Sequence, residues 1–249
     1  MKRDHWQKAF PEMPLSYRQR VEATLASLPE EKEVHKMKLK KRFAVPVMAL
    51  LAVMLLGTGL MATGTLTSLF ATSSSHPTYK EMPTVAQLEK NPGFVPVVLD
   101  SFENGYVFDS AVVGKSTGTD DNGNELLKQK FISIDYAFGN DRISVDAHPT
   151  SDYFVEDGAV VGSFDGIDLY YSGYTNKCVP GDYEMTEQDK ADEASGKYVF
   201  SFGTDTVLIQ EVQFLTWQMD GLSYNLMAVD SSLAQEDLAA MAKEIIAAR

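Results

Sequence analysis

The chain has 249 residues, 44% of them hydrophobic and 23% charged, with a formal net charge of −13. This length allows one large domain or two ordinary ones, and the composition excludes disordered and low-complexity classes. A single cysteine excludes a disulfide framework and a multi-thiolate metal site within one chain. The charge is unevenly divided. Residues 1–42 carry 11 Lys/Arg against 6 Asp/Glu, residues 43–70 carry none of either, and residues 71–249 carry 11 against 29.

Two short amphipathic signals open the chain. Asp4 can cap a turn that sets Trp6 and Phe10 at i and i+4. Beyond Pro11 and Pro14, Ser16 and Gln19 form an S-x-x-Q capping box. The stretch SYRQRVEATLASL then places Tyr17, Val21, Leu25 and Leu28 on one helical face, and Pro29 closes it. Two such helices bury too little to fold alone, so a partner protein, a membrane surface or a second copy must cover them. Trp6, Phe10, Val21, Leu25 and Leu28 are the candidate partner-binding residues.

Residues 43–62 read FAVPVMALLAVMLLGTGLMA, twenty residues without a charge. As a helix they would span about 30 Å, the thickness of a bilayer core. The first turn tolerates Pro46. Lys36, Lys38, Lys40, Lys41 and Arg42 precede the run, and the next basic residue is Lys80. The positive-inside rule then predicts a single-pass protein in the cell membrane, its N-terminus cytoplasmic and its C-terminal part extracytoplasmic. The lipid bilayer is one expected partner.

The stretch TSSSHPTYKEMP at 72–83 reads as part of a tether. Beyond it, alternation predicts strands over residues 95–99, 106–113, 130–138, 143–147, 159–164, 167–174, 198–203, 207–217 and 222–229. Asn104-Gly105, Asn122-Gly123, Asp157-Gly158, Asp165-Gly166 and Asp220-Gly221 are turn dipeptides. A terminal helix follows, with a Ser232/Gln235 capping box and Leu238, Met241, Ala242 and Ile245 on one face. The expected fold is α+β. An extracytoplasmic antiparallel sheet carries a packed C-terminal helix, preceded by one transmembrane helix and a short helical cytoplasmic leader. Its divisions are 1–42 leader, 43–66 transmembrane helix, 67–93 tether and 94–249 outer domain.

Chemical motifs are weak. Asp120, Asn122 and Asn124 resemble half of a calcium loop, but Glu125 stands where glycine is required and Phe131 where a bidentate Glu belongs. His148 lacks an H-E-x-x-H partner and reads as a surface loop. Cys178, in NKCVPGD, has no catalytic histidine pattern nearby and reads as a free or buried thiol. Asp189, Asp192 and Glu193 read as a solvated loop. With no hydrolase elbow, Walker loop or dinucleotide fingerprint, no catalytic residue, cofactor or metal ligand is expected. The acidity of residues 71–249 argues against direct binding of nucleic acid.

The ending VQFLTWQMDGLSYNLMAVDSSLAQEDLAAMAKEII, with Trp217, Asp220-Gly221 and Tyr224-Asn225-Leu226, resembles a domain of unknown function found outside the membrane in Gram-positive bacteria. The preceding IDLYYSGYTNKCVPGDYEMTEQD fits the same domain, so the resemblance covers roughly residues 160–247. The opening WQKAFPEMPLSYRQRVEATLASLPEEKE is similar to the leader of single-span, anti-sigma-factor-like proteins. It lacks the His and paired Cys of zinc-containing anti-sigma domains, since His35 has no cysteine near it. The resemblance implies a membrane signalling protein whose outer domain senses a ligand or protein and whose leader contacts a sigma factor or other regulator. The alternative is a membrane-tethered carrier module for an apolar or envelope ligand, with no signalling role.

Overall fold

A computed structural model of the chain describes residue 66, residues 68–153 and residues 158–249. The leader face with Trp6, Phe10, Val21, Leu25 and Leu28, the apolar run 43–62 and Asp157 lie outside the described residues. Within them, nine strands form one sheet: β1 (Ser68–Thr72), β2 (Val107–Thr119), β3 (Glu125–Phe138), β4 (Asp141–Pro149), β5 (Ala159–Phe164), β6 (Ile167–Val179), β7 (Val199–Phe202), β8 (Leu208–Met219) and β9 (Leu222–Val229). Their spatial order is β1-β2-β3-β4-β9-β8-β6-β5. All pairs are antiparallel except β7, which runs parallel to the far end of β6. The sheet curls into a half-barrel.

This corrects the expected fold class. In place of an α+β domain behind a membrane-crossing helix, the structure is mostly one curled sheet. No described helix is long and apolar enough to cross a membrane. Leu66, assigned to the end of the span, is 1% exposed, and a Cβ on Gly118 of β2 would collide with its side chain. The residues read as tether contain β1 and a short helix, α1 (Val85–Lys90), whose Thr84/Gln87 capping box carries the same S/T-x-x-Q signature.

Two-residue turns set the sheet register. Asp165-Gly166 joins β5 to β6 and Asp220-Gly221 joins β8 to β9, with φ of 51° and 76°, and 51° and 75°. Paired positive φ values give the primed turn whose twist matches the flanking strands. The register carries one apolar row across six strands: Ala111, Ile134, Val145, Leu226, Leu215 and Tyr171 are successive cross-strand partners. A parallel row holds Ile132, Ala147, Tyr224 and Trp217, where the last two rings stack at 5.2 Å.

The terminal helix α3 (Gln235–Ala247) covers this first face with Leu238, Met241, Ala242, Ile245 and Ile246, each no more than 2% exposed. Its N-cap is Ala234, not the expected Ser232. The carboxylate of Asp237 accepts from the Ala234 N–H at 2.8 Å. Residues 95–99 are not the predicted strand. They cross the same face as irregular chain, and two buried tyrosines take the place of a strand partner. The Val97 N–H donates to the Tyr224 hydroxyl at 3.0 Å, and the Tyr136 hydroxyl donates to the Leu99 carbonyl at 3.0 Å. Burial pushes both phenols up, so they remain protonated and able to donate.

Removing either hydroxyl strands a backbone group, which costs about 1–3 kcal/mol in a buried setting. Tyr136→Phe and Tyr224→Phe are each expected to lower urea stability by about that amount. Amide exchange should accelerate at Leu99, whose N–H donates to the Tyr136 hydroxyl at 3.3 Å, in the first variant and at Val97 in the second. Unchanged exchange at both amides would show that the tyrosines do not hold this segment.

Candidate functional site on the second sheet face

Strand alternation gives the sheet a second face, opposite α3. In β4, Ile143, Val145 and Ala147 point to the core and Ser144, Asp146 and His148 point away. In β9 the same split sets Ser223, Asn225 and Met227 on the second face. In β8 it sets Phe214, Thr216 and Gln218 there. The register aligns a polar row across five strands: Ser133, Asp146, Asn225, Thr216 and Tyr170 are successive cross-strand partners. One row along, Asp135 pairs with Ser144, and Ser144 pairs with Met227.

Ser133, Asn225, Thr216 and Tyr170 of this row are half-buried, and Asp146 and its neighbour Ser144 are more deeply covered. Asp146 is 6% exposed and Ser144 8%, and both rank with the core in burial. Three polar atoms on the face, Ser144 Oγ, Asn225 Oδ1 and Thr216 Oγ1, are buried without a hydrogen-bond partner. Buried polar atoms are ordinarily paired, because leaving one unpaired costs about 1–3 kcal/mol. Three on one face mark a place where something else completes the bonding. Aromatic and apolar side chains flank the row: Phe131, Phe214 at 6% exposure, and Tyr174, whose ring lies 5.8 Å from that of Phe214.

The carboxyls on this face are electrostatically unusual. Burial pushes Asp146 up to about 6, partly offset by hydrogen bonds from Ser133 and Asn225, while Asp135 raises it further. Asp135 is itself raised, again chiefly by burial; the Ser110 hydroxyl, 3.2 Å away, acts in the opposite direction. Arg142 lies at one end of β4 and is taken by Asp109 at 2.6 Å. The face thus offers acceptors in excess of donors and no described unpaired cation.

The residues singled out from sequence have other positions. Asp120 closes the β2–β3 turn: one carboxylate oxygen accepts from the Asn122 and Asn124 N–H groups at 2.8 Å, and the other accepts from the Asn124 side chain. His148 lies in β4 and is 9% exposed, not in a surface loop, with Nδ1 2.9 Å from the Pro149 carbonyl. Cys178 lies half-buried in β6, between Leu208 and Ser201 on the neighbouring strands. The supposed loop with Asp189, Asp192 and Glu193 is a helix, α2 (Glu187–Ala194), and Asp189 and Asp192 are buried. Asp189 accepts from Lys177 at 2.5 Å and from the hydroxyls of Tyr183 and Thr186; Lys177, then Thr186, hold its carboxyl well below the usual range. The Asp189 carboxylate fastens α2 to β6, and Asp192 accepts from Gln188 and Lys197.

Sequence reasoning missed Ser133, Ser144, Asp146, Thr216 and Asn225. Each sits where alternation assigns a solvent-facing position, so each read as ordinary surface. The signal present was positional: β4 and β9 carry their polar residues at the centre of the strand order, where both neighbours are paired strands.

An Asp that binds its proton more tightly when folded stabilises the fold fully below its unfolded pKa, near 3.9, and loses that contribution as pH rises through 6. Wild-type stability should therefore fall between pH 4 and pH 7 relative to Asp146→Asn, by about 2 kcal/mol. Urea midpoints of both proteins across that range measure it. Parallel curves would mean that Asp146 titrates as an exposed carboxyl.

Compared with known proteins, the chain matches no family model, no curated sequence and no solved structure.

Proposed function

We propose that this chain is a regulatory sensing protein whose sheet domain binds a ligand on its second face. In this reading the leader residues Trp6, Phe10, Val21, Leu25 and Leu28 dock a regulator, a sigma factor in the form that the family resemblance implies. The observation that carries the sensing role is the row Ser133–Asp146–Asn225–Thr216–Tyr170, with buried, unpartnered polar atoms at its centre. A surface used only for solubility would expose those atoms to water. A binding surface shields them and leaves their last bond to the ligand.

The carrier alternative draws less support. An apolar ligand would lie between sheet and terminal helix, but the side chains there form one packed cluster. Leu238, Met241 and Ala242 are 0% exposed against Trp217 and Leu226. The second face, rich in hydroxyl, amide and carboxyl groups, suits a polar ligand instead.

The test uses the full-length chain as bait in its own cells. Val21→Asp with Leu25→Asp should reduce recovery of the regulator at least about ten-fold, because each buried aliphatic anchor is worth roughly 1.5–3 kcal/mol. Asn225→Leu, which changes only the second face, should alter recovery of the regulator. Equal recovery by wild type and both variants would remove the regulatory reading.

A further inference from the structure

Buried residues on the second face are not scattered. They form an oblique band over five adjacent strands, β2, β3, β4, β9 and β8. Gly118 and Gly114 begin it on β2, Phe131 continues it on β3, Asp146 and Ser144 carry it over β4, and Phe214 ends it on β8. Away from the band the same face opens, and Arg142, Asp168 and Gln218 are exposed.

An apolar sheet face is buried only against another element, and the described elements cover the other face. α1, α3 and the chain from Phe94 to Tyr106 all join the one core cluster on the first face. Leu66, Phe131, Val212 and Phe214 are buried apolar residues outside that cluster. Leu66 shows where their cover comes from. It is the first described residue, it is buried, and its side chain lies in the space that a Cβ on Gly118 would take. Gly118 alternates with Ala111 and Val113 of the first face, so it points to the second. The chain therefore enters the described structure on the second face, at one end of the band.

We infer that residues 49–62, ALLAVMLLGTGLMA, are the cover: this chain's own apolar run docks along the band and closes the second face. Three residues, 63–65, separate the run from Leu66. From β2 to β8 the band crosses four inter-strand spacings, about 19 Å. Fourteen residues would measure about 21 Å as a helix, which matches that span. The chemistry agrees at both ends. Gly114 and Gly118 leave room for close approach, and Phe131, Val212 and Phe214 offer apolar surface to a run without a charge. At the centre the fit is poorer. Thr58 is the one side-chain hydroxyl of the run, too few for Ser144 Oγ, Asn225 Oδ1 and Thr216 Oγ1, which are unpartnered. The cover is held at its ends and weak in its middle. This goes beyond the sensing reading and stands without it; under that reading, the run is what a ligand displaces.

Photo-cross-linking of the full-length chain in its own cells tests the assignment. p-Benzoylphenylalanine replaces Met227, half-buried on β9 in the middle of the band, or exposed Phe138 as a control. Irradiation of the Met227 variant should give a product of monomer mass whose peptides map to residues 49–62, and the Phe138 variant should give no such product. Adding Leu51→Asp with Leu55→Asp should lower the yield at least about ten-fold. Amide exchange at Val97 and Leu99, on the first face, should stay as in wild type. Should the double variant not fold, the mapped product of the singly substituted chain decides alone. A product of twice the monomer mass, a link to lipid or to another protein, a link only to residues outside 49–62, or no product would each overturn the assignment, as would an unchanged yield in a folded double variant. Recovery of the regulator is a separate readout, so failure of the cover leaves the sensing reading standing.

Discussion

One row of side chains, Ala111, Ile134, Val145, Leu226, Leu215 and Tyr171, crosses six strands on a single face, and the rest of the structure depends on its being covered. Because side chains alternate, fixing that row on one face fixes the polar row on the other; a slip of one residue would exchange them. The primed turns at Asp165-Gly166 and Asp220-Gly221 hold the register by geometry, and the buried Trp217–Tyr224 stack holds it by packing. Helix α3 covers part of the first face. The irregular chain from Phe94 to Tyr106 covers more, and it can do so because Tyr136 and Tyr224 supply the hydrogen bonds that a strand partner would.

The strong negative charge of residues 71–249 takes on a different meaning in this light. Read along the chain, it is a solubilising surface. In the fold, many of the carboxylates are structural acceptors. Asp120 closes a turn, Asp189 and Asp192 hold α2, Asp230 accepts from the Glu211 N–H, Asp237 caps α3, and Asp165 meets Arg249. Short acidic side chains suit this work because they reach nearby N–H groups without losing much side-chain freedom. The surplus of acid over base is thus partly a surplus of internal hydrogen-bond acceptors.

How much was legible follows from whether the information was local. Strands with strict alternation and tight turns, such as β8–β9 with Asp220-Gly221, are readable because period and turn chemistry are both written within twenty residues. β1 and α1 were lost in a polar stretch, although Thr84 and Gln87 carry the box that starts α1. The 187–194 helix was lost for the opposite reason. Its acidic residues look solvated until Lys177, Tyr183 and Lys197, distant or on another element, are brought to them. Residues 95–99 have a strand's composition but no strand beside them, and that is a property of the tertiary arrangement alone. The apolar run 43–62 is the clearest sequence signal, and it lies outside the described residues.

The candidate site was the least legible part, for a reason that also argues for its role. Ser, Asp, Asn and Thr alternating with Ile, Val, Leu and Trp is the pattern of a half-exposed sheet, and water would satisfy such a face without further design. Asp146 and Ser144 are instead as buried as core residues, and Ser144 Oγ, Asn225 Oδ1 and Thr216 Oγ1 lack partners. Replacing the row by Val or Leu would remove that cost and would add apolar burial, so stability alone does not account for it. An open sheet could bear such a replacement only by exposing a flat apolar face to other chains, yet Phe131, Val212 and Phe214 already make the neighbouring positions apolar. Solubility therefore does not account for the polar row either. What distinguishes its residues from their neighbours is the chemistry they can offer a third group: unpartnered hydroxyl and amide oxygens, one carboxyl raised by burial, and a register held by five paired strands.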